Sequence, residues 1–431
     1  MAMLTYRLLL WLALPWVVLR LFWRGLQEPA YASRRLERFG QVPQEVSAGG
    51  IWVHSVSAGE TIATAPLVEA LLQRDDTPVL VTTMTPTGSE QVHRLLGGRV
   101  QHCYAPYDFG FAVERFLDRT RPRAVILMET EIWPNLVLAA RRRKIPVMLL
   151  NARLSERSAR GYRRVSWLVR RVLPAFTAIG CQSEAHRQRF IDLGADPACI
   201  TTLGNIKFDL ALAESIDHKA QEMGRLCHAL DRPILMAAST HPGEERQVIE
   251  AYRALTESMP NLYMILAPRH PHRVVELTTL LTSDGFAVSR FSQIQVPASD
   301  PGQPKADILI IDQMGVLLPC YRLAHIAFVG GSLVPHGGHN PIEPAALGTP
   351  IVTGPHNFNF AQVHDALETA GAIKVVNDAQ ELAQALGDIF SDGVRQQEMG
   401  AAGVQVVEEN RGAVERYLTL LTTALSETPR R

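Results

Sequence analysis

Apolar residues fall in short runs along most of the chain, separated by stretches with the three-to-four spacing of amphipathic helices. Runs at 51–56, 79–83, 100–104, 124–128, 147–150 and 176–180 are brief and rich in β-branched residues, as strands buried on both faces should be. Helical patterns lie between them, at 61–73 and 114–120 for example, so this half predicts a βαβ series. A second series starts near Pro233, with strands expected at 234–238, 262–267, 308–311, 326–329 and 351–352. Residues 207–230 carry few strand signals and suit a linker. Residues 293–305 are polar and proline-containing, as in a surface loop. Residues 394–425 are helical in pattern and could return to pack on the first domain. The expected architecture is therefore α/β, with two Rossmann-like doubly wound domains facing a cleft, 26–212 and 213–431.

Residues 1–25 break this pattern. Positions 8–19 are almost wholly apolar, Arg20 interrupts, and Leu21-Phe22-Trp23 resumes. Trp11, Trp16 and Trp23 suit a membrane interface, and Arg20, Arg24, Arg34, Arg35 and Arg38 follow, which by the positive-inside rule puts the bulk of the chain in the cytoplasm. The segment reads as an N-terminal anchor helix, either one tilted span or a helix lying in the interface, with a buried core helix as the plain alternative.

Composition removes several function classes. The 431 residues carry no net charge, so no global field recruits nucleic acid. The five cysteines are scattered without C-x-x-C spacing, which argues against a disulfide framework or a zinc site and fits a reducing compartment.

Candidate chemistry sits at expected strand ends. Gly330-Gly331-Ser332 through Gly337-Gly338-His339-Asn340-Pro341-Ile342-Glu343 follows one strand and opens a helix. Glycines and first-turn N–H groups there can cradle a phosphate, and Glu343 can take ribose hydroxyls; the plain alternative is a ligand-free turn. His54-Ser55-Val56-Ser57-Ala58-Gly59-Glu60 ends another strand, and Glu60 reads as a general base or as a helix-capping glutamate. Glu129 and Glu131 stand two apart at a third strand end. Lys207 is placed to neutralise charge on a leaving phosphate or a substrate carboxylate, or is a surface lysine. Arg269, after Pro268, is the best bidentate phosphate ligand of the second half. His270 and His272 have no acidic or cysteine company that would suggest a metal. Met314-Gly315 offers another close backbone approach. Arg157, Arg160, Arg164 and Arg171 are expected on one face of a helix, either toward acidic headgroups or simply solvated.

In this order, the anchor, His54–Glu60, Thr82-Thr83-Met84-Thr85-Pro86-Thr87-Gly88, Glu129–Asn135, Asn151–Ser155, Lys207-Phe208-Asp209, Pro268-Arg269-His270 and Gly330–Pro344 resemble the 3-deoxy-D-manno-octulosonic acid (Kdo) transferase family over nearly the whole chain. The resemblance implies a GT-B glycosyltransferase with CMP-Kdo as donor and a tetraacylated, bisphosphorylated lipid A precursor (lipid IVA) as acceptor. Inversion at the anomeric carbon, no cofactor and no metal are implied too, on the cytoplasmic face of a bacterial inner membrane among its lipids. By motif position, Glu60 would be the base, and Glu129 and Lys207 would stabilise the transition state. Pro268, Arg269, Met314, Gly315, Val316, Asn340, Pro341, Ile342 and Glu343 would hold CMP. One departure stands out: Gln313 and Val316 replace the threonine and acidic residue that usually flank the family's Met-Gly pair. Two rivals are a GT-B transferase with another nucleotide sugar and a catalytically silent nucleotide-sugar- or lipid-binding protein.

Overall fold

A computed structural model of the protein describes residues 2–74, 76–210, 212, 214–294 and 306–426. The loop expected at 293–305 therefore lies outside the described residues from 295 onward. Two compact units are present, Met1–Asp209 with Asn410–Arg431, and Leu210–Glu409.

The first unit opens with helix α1, Ala2–Gln27. Its strands are β1 (Ile51–His54), β2 (Val79–Thr83), β3 (Gln101–Tyr104), β4 (Ala124–Met128), β5 (Val147–Ala152), β6 (Ala178–Cys181) and β7 (Ile200–Thr202). Helix α2 (Ala58–Leu72) follows β1. The strands form one sheet in the order β3-β2-β1-β4-β5-β6-β7, parallel at every pairing. The second unit contributes β8 (Ile234–Thr240), β9 (Tyr263–Pro268), β10 (Val288–Arg290), β11 (Ile308–Ile310), β12 (Ile326–Val329), β13 (Ile351–Thr353) and β14 (Ile373–Val375). Their order is β10-β11-β9-β8-β12-β13-β14, again parallel throughout.

Central strands such as β1, β4, β8 and β12 are buried along almost their whole length, because helices cover both faces of a doubly wound sheet. Strands β7, β10 and β14 go beyond the sequence expectation. Each is a three-residue edge strand carrying polar residues, such as Thr201, Ser289 and Lys374, so it lacks the apolar run that marks a strand buried on both faces.

One correction concerns the arginine-bearing helix. Arg157, Arg160 and Arg164 lie on helix Glu156–Arg164, whereas Arg171 lies on helix Ser166–Val172. Val165 breaks the path with φ −115° and ψ 29°, so the four arginines do not share one helix face. The expected linker contains helix Ile216–Leu226. The C-terminal pattern divides at Gly412 (φ 82°) into helices Gly393–Asn410 and Ala413–Ser426. The last one lies in the first unit, where Tyr417, Leu418 and Leu421 join the apolar core behind the first sheet. Asp209 accepts from the Gly412 and Val414 N–H groups at 2.6 and 2.5 Å, capping that helix start.

Strand order reverses direction between β1 and β4 in the first sheet and between β8 and β12 in the second. Such switch points open a crevice at the carboxyl ends of the strands, where ligands bind in this class of fold.

Candidate active site

In the first unit, Glu60 follows β1 and Glu129 follows β4, so both stand at the switch point. Ser57 caps α2 and Glu60 occupies its first turn. The Glu60 carboxylate turns back to accept from the Val56 N–H at 2.8 Å and the Ser57 hydroxyl at 3.3 Å. The capping alternative is therefore real as geometry, and it fixes the carboxylate in place. Burial pushes its pKa from 4.5 up to about 7, and the Glu129 charge adds to the rise; the Val56 N–H pulls the other way. A carboxylate poised there can take a proton near neutral pH.

Glu129 adopts a left-handed backbone, φ 56°, directly after β4. Its carboxylate meets Lys207 Nζ at 3.2 Å, with both side chains largely buried. Asn205 accepts the Lys207 N–H at 3.1 Å, and Asn151, itself left-handed at φ 52°, accepts the Ile206 N–H at 3.2 Å. These two asparagines set where the lysine-bearing turn sits. Glu131 points elsewhere and accepts from Trp133 Nε1 at 2.5 Å. The structure thus brings Glu60, Glu129 and Lys207 together.

In the second unit, β8, β9 and β12 deliver Thr240, Pro268 and the glycine loop to one edge. Arg269 follows β9, its N–H donating to the Thr240 carbonyl at 2.9 Å. Asn340 donates to Glu343 at 3.2 Å and accepts from the Ile342 N–H at 3.1 Å, so it positions both the carboxylate and the start of helix Ile342–Ala346. Burial pushes the Glu343 carboxyl up, and the Asn340 amide partly offsets this. Pro341 is the residue that precedes that helix. Met314 is exposed, Gly315 has φ 88°, and Val316 precedes helix Leu317–Leu323. The neighbouring acid, Asp312, is held by Ser292.

One expectation is corrected here. The amides opening the glycine loop do not await a phosphate. The buried Glu244 carboxylate accepts from the N–H groups of Gly331 (2.5 Å), Ser332 (3.2 Å), Leu333 (3.3 Å) and His241 (2.8 Å). An anion at this edge is left to side chains and to later amides.

Those side chains include a histidine group of which sequence alone singled out only His270. His241 Nε2 and His339 Nε2 share a hydrogen bond at 2.8 Å. The His241 ring stacks on His336 at 4.2 Å and meets His270 edge-on at 5.7 Å. Burial first, then neighbouring cations, lower His241 to about 4 and His339 to about 3, so both rings are neutral near pH 7. Their signal was present in sequence only as a histidine after each of three strands that prove to be neighbours. His270 and His272 stack at 5.5 Å; among the described residues no group of three or more His, Cys, Asp or Glu gathers as for a metal.

Gly330 is tightly enclosed. A Cβ there would stand 2.7 Å from Glu244 Oε1 and 2.9 Å from the Ser239 carbonyl. Gly330→Ala is expected to cost about 1–3 kcal/mol through overpacking and to weaken nucleotide binding, read as a lowered Tm and a raised Kd in calorimetry.

Similarity to known proteins agrees with this layout. The family model described as 3-deoxy-D-manno-octulosonic-acid transferase (kdotransferase) matches residues 33–210. The 3-deoxy-D-manno-octulosonic acid transferase of Haemophilus influenzae is 38% identical over 408 residues, covering 92% of each chain. The chain belongs to the Kdo transferase family. It is a glycosyltransferase. The Bordetella pertussis transferase is 36% identical, over 96% of this chain and 95% of its own. Among solved structures, a glycosyltransferase from Rickettsia africae matches with TM-score 0.57 at 13% identity, over 88% of this chain and 99% of its own. UDP-GlcNAc 2-epimerase from Neisseria meningitidis matches with TM-score 0.58 at 15% identity, over 87% and 100%. At such identities the two structures speak to fold alone, which is GT-B-like.

Proposed function

We propose that this Kdo transferase moves Kdo from CMP-Kdo to the tetraacylated lipid A precursor, with inversion and without a metal, at the cytoplasmic face of a bacterial inner membrane. The observation that carries the reading is Glu60, held by the Val56 N–H and Ser57 with its pKa raised to about 7, beside the Glu129–Lys207 pair. The first unit takes the acceptor and the second takes the donor. Glu60 accepts the proton of the acceptor hydroxyl as its oxygen bonds to the anomeric carbon. The bond from that carbon to the CMP phosphate oxygen breaks, and CMP leaves with the electron pair. Lys207, oriented by Glu129, offsets the negative charge that develops, as preorganised cations do at transferring groups. Arg269 and the neutral His241 and His339 rings line the donor's phosphate, while Asn340 holds Glu343 toward the ribose. Pro268, Met314, Gly315, Val316, Pro341 and Ile342 shape the rest of the CMP site. A CMP contact made by the backbone at Met314–Val316 tolerates the Val316 departure.

The test divides the two units' roles. Arg269→Ala is expected to raise the Kd for CMP at least tenfold, whereas Lys207→Met lowers turnover and leaves CMP binding near wild type. Transfer in EDTA is expected to match transfer without it. EDTA-sensitive turnover restored by a divalent ion would contradict metal independence, and a CMP affinity indifferent to Arg269 would contradict the donor site.

A further inference from the structure

Helix α1 does not stand clear of its domain. Within it Leu21 and Gly25 are buried, and Ala2, Met3, Tyr6, Arg7, Leu10, Ala13, Leu14, Val17 and Val18 are half-buried. From Met3 onward these less exposed positions follow one side of the helix. Met3 and Tyr6 pack on the apolar core of the first unit.

The two ends are fastened separately. Near the start, Tyr6 Oη donates to Asp108 Oδ2 at 2.9 Å and Arg7 Nε donates to Asn135 Oδ1 at 2.9 Å. Asp108 is half-buried, and its carboxylate also takes the first N–H groups of helix Pro134–Arg142, from Asn135 and Leu136, at 2.9 Å each. Detaching Tyr6 would strip a hydrogen bond from a carboxylate largely shielded from water. Near the other end, Leu21 is buried, the Arg35 guanidinium lies over the Phe22 ring at 4.3 Å, and Gly25 is enclosed by Ala32 and Arg35. The next turn is itself fixed to the sheet, by Glu37 accepting from the Tyr104 N–H and Arg38 donating to the Met84 carbonyl.

The opposite face is exposed and apolar: Leu4, Leu8, Leu12, Trp16, Leu19, Trp23 and Leu26, again three or four apart. Arg20 lies beside it, exposed and over the Trp16 ring at 5.5 Å, while Arg24, also exposed, turns to the Tyr31 ring. An apolar stripe with tryptophans and an arginine at its border matches the boundary between acyl chains and anionic headgroups.

We infer that α1 is an in-plane membrane helix: its exposed stripe enters one leaflet of an anionic bilayer while its other face stays on the domain, so the segment does not span. A span of this apolar stretch would place one end of α1 across the hydrocarbon core, about 30 Å away, and would have to release either the Tyr6–Asp108 contact or the Gly25 contact. The inference rests on the membrane-associated reading above and specifies its geometry.

The test uses the full chain carrying a protease-cleavable epitope ahead of Met1 in bacterial membranes. Protease is expected to cut the epitope in inverted vesicles and leave it intact in sealed spheroplasts. Cutting from outside spheroplasts would establish a span and overturn the inference. In a second arm, Leu8→Asp with Leu12→Asp and Leu19→Asp is expected to weaken binding to phosphatidylglycerol vesicles at least tenfold. Unchanged vesicle binding would equally overturn it. Transfer to detergent-solubilised acceptor should survive that triple substitution. Failure of the unsubstituted protein to transfer Kdo to solubilised acceptor would instead count against the donor and acceptor assignment, whatever the geometry of α1.

Discussion

Glu60→Gln is expected to lower the rate of Kdo transfer by a factor on the order of 10²–10⁴, the usual contribution of a positioned general base, while the Kd for CMP stays near wild type. Glutamine can still accept the Val56 N–H, so the α2 start survives and the loss falls on proton transfer. In the wild-type protein kcat/KM should rise with pH to a plateau above about 7, because the base must be ionised and its carboxyl titrates near 7. The same shift has a consequence for stability. The folded carboxyl holds its proton more firmly than the unfolded chain does. The stability linked to that proton is complete below pH 4.5 and is lost as pH rises through about 7. Ionised Glu60 therefore costs the fold roughly 3 kcal/mol relative to an ordinary carboxylate. Glu60→Gln should be more stable than wild type at pH 8, by several degrees in Tm, with the gap closing toward pH 5. A gain in stability together with a loss of turnover is the signature of a functional carboxylate. A Tm gap that does not change with pH, or near-normal turnover, would remove Glu60 from the base role.

The second large effect is expected away from the reacting atoms. Glu244→Ala would leave the amides of Gly331, Ser332, Leu333 and His241 without their carboxylate. Each buried amide left unsatisfied costs about 1–3 kcal/mol. Part of that falls on the loop that presents His339, Asn340 and Glu343. The Kd for CMP is expected to rise on the order of 10- to 100-fold, with about 1.4 kcal/mol for each factor of ten. Thermal stability should fall as well. Glu244→Gln, which keeps an acceptor, should recover part of both. Full CMP affinity in Glu244→Ala would mean that the loop is held by something other than this carboxylate.

These two glutamates also mark how far the sequence could be read. The position of Glu60 in the first turn of a helix after β1 was legible because a small-residue loop follows a buried apolar run. The central strands were legible for the same physical reason: burial on both faces writes a continuous apolar run. Strands β7, β10 and β14 were not, since an edge needs no such run. Glu244 was hidden. Its role depends on β8 and β12 being neighbours, a fact of topology that no local pattern records. A glycine loop looks the same whether its amides face a phosphate or a carboxylate 87 residues earlier in the chain. The histidine group was hidden likewise, because three separate strands bring it together. The arginines on either side of Val165 share a spacing but not a helix, as periodicity cannot register a single residue that leaves the α region.

The most direct test of the account is Kdo transfer by the purified full-length protein. CMP-Kdo generated in situ and radiolabelled lipid A precursor would be supplied in the presence of EDTA, with products resolved by size. The account predicts labelled product carrying one or more added Kdo residues, formed on the order of 10²–10⁴ times more slowly by Glu60→Gln, and the ladder would also report how many sugars are added. CMP binding without product, or turnover with a UDP-linked sugar in place of CMP-Kdo, would contradict it.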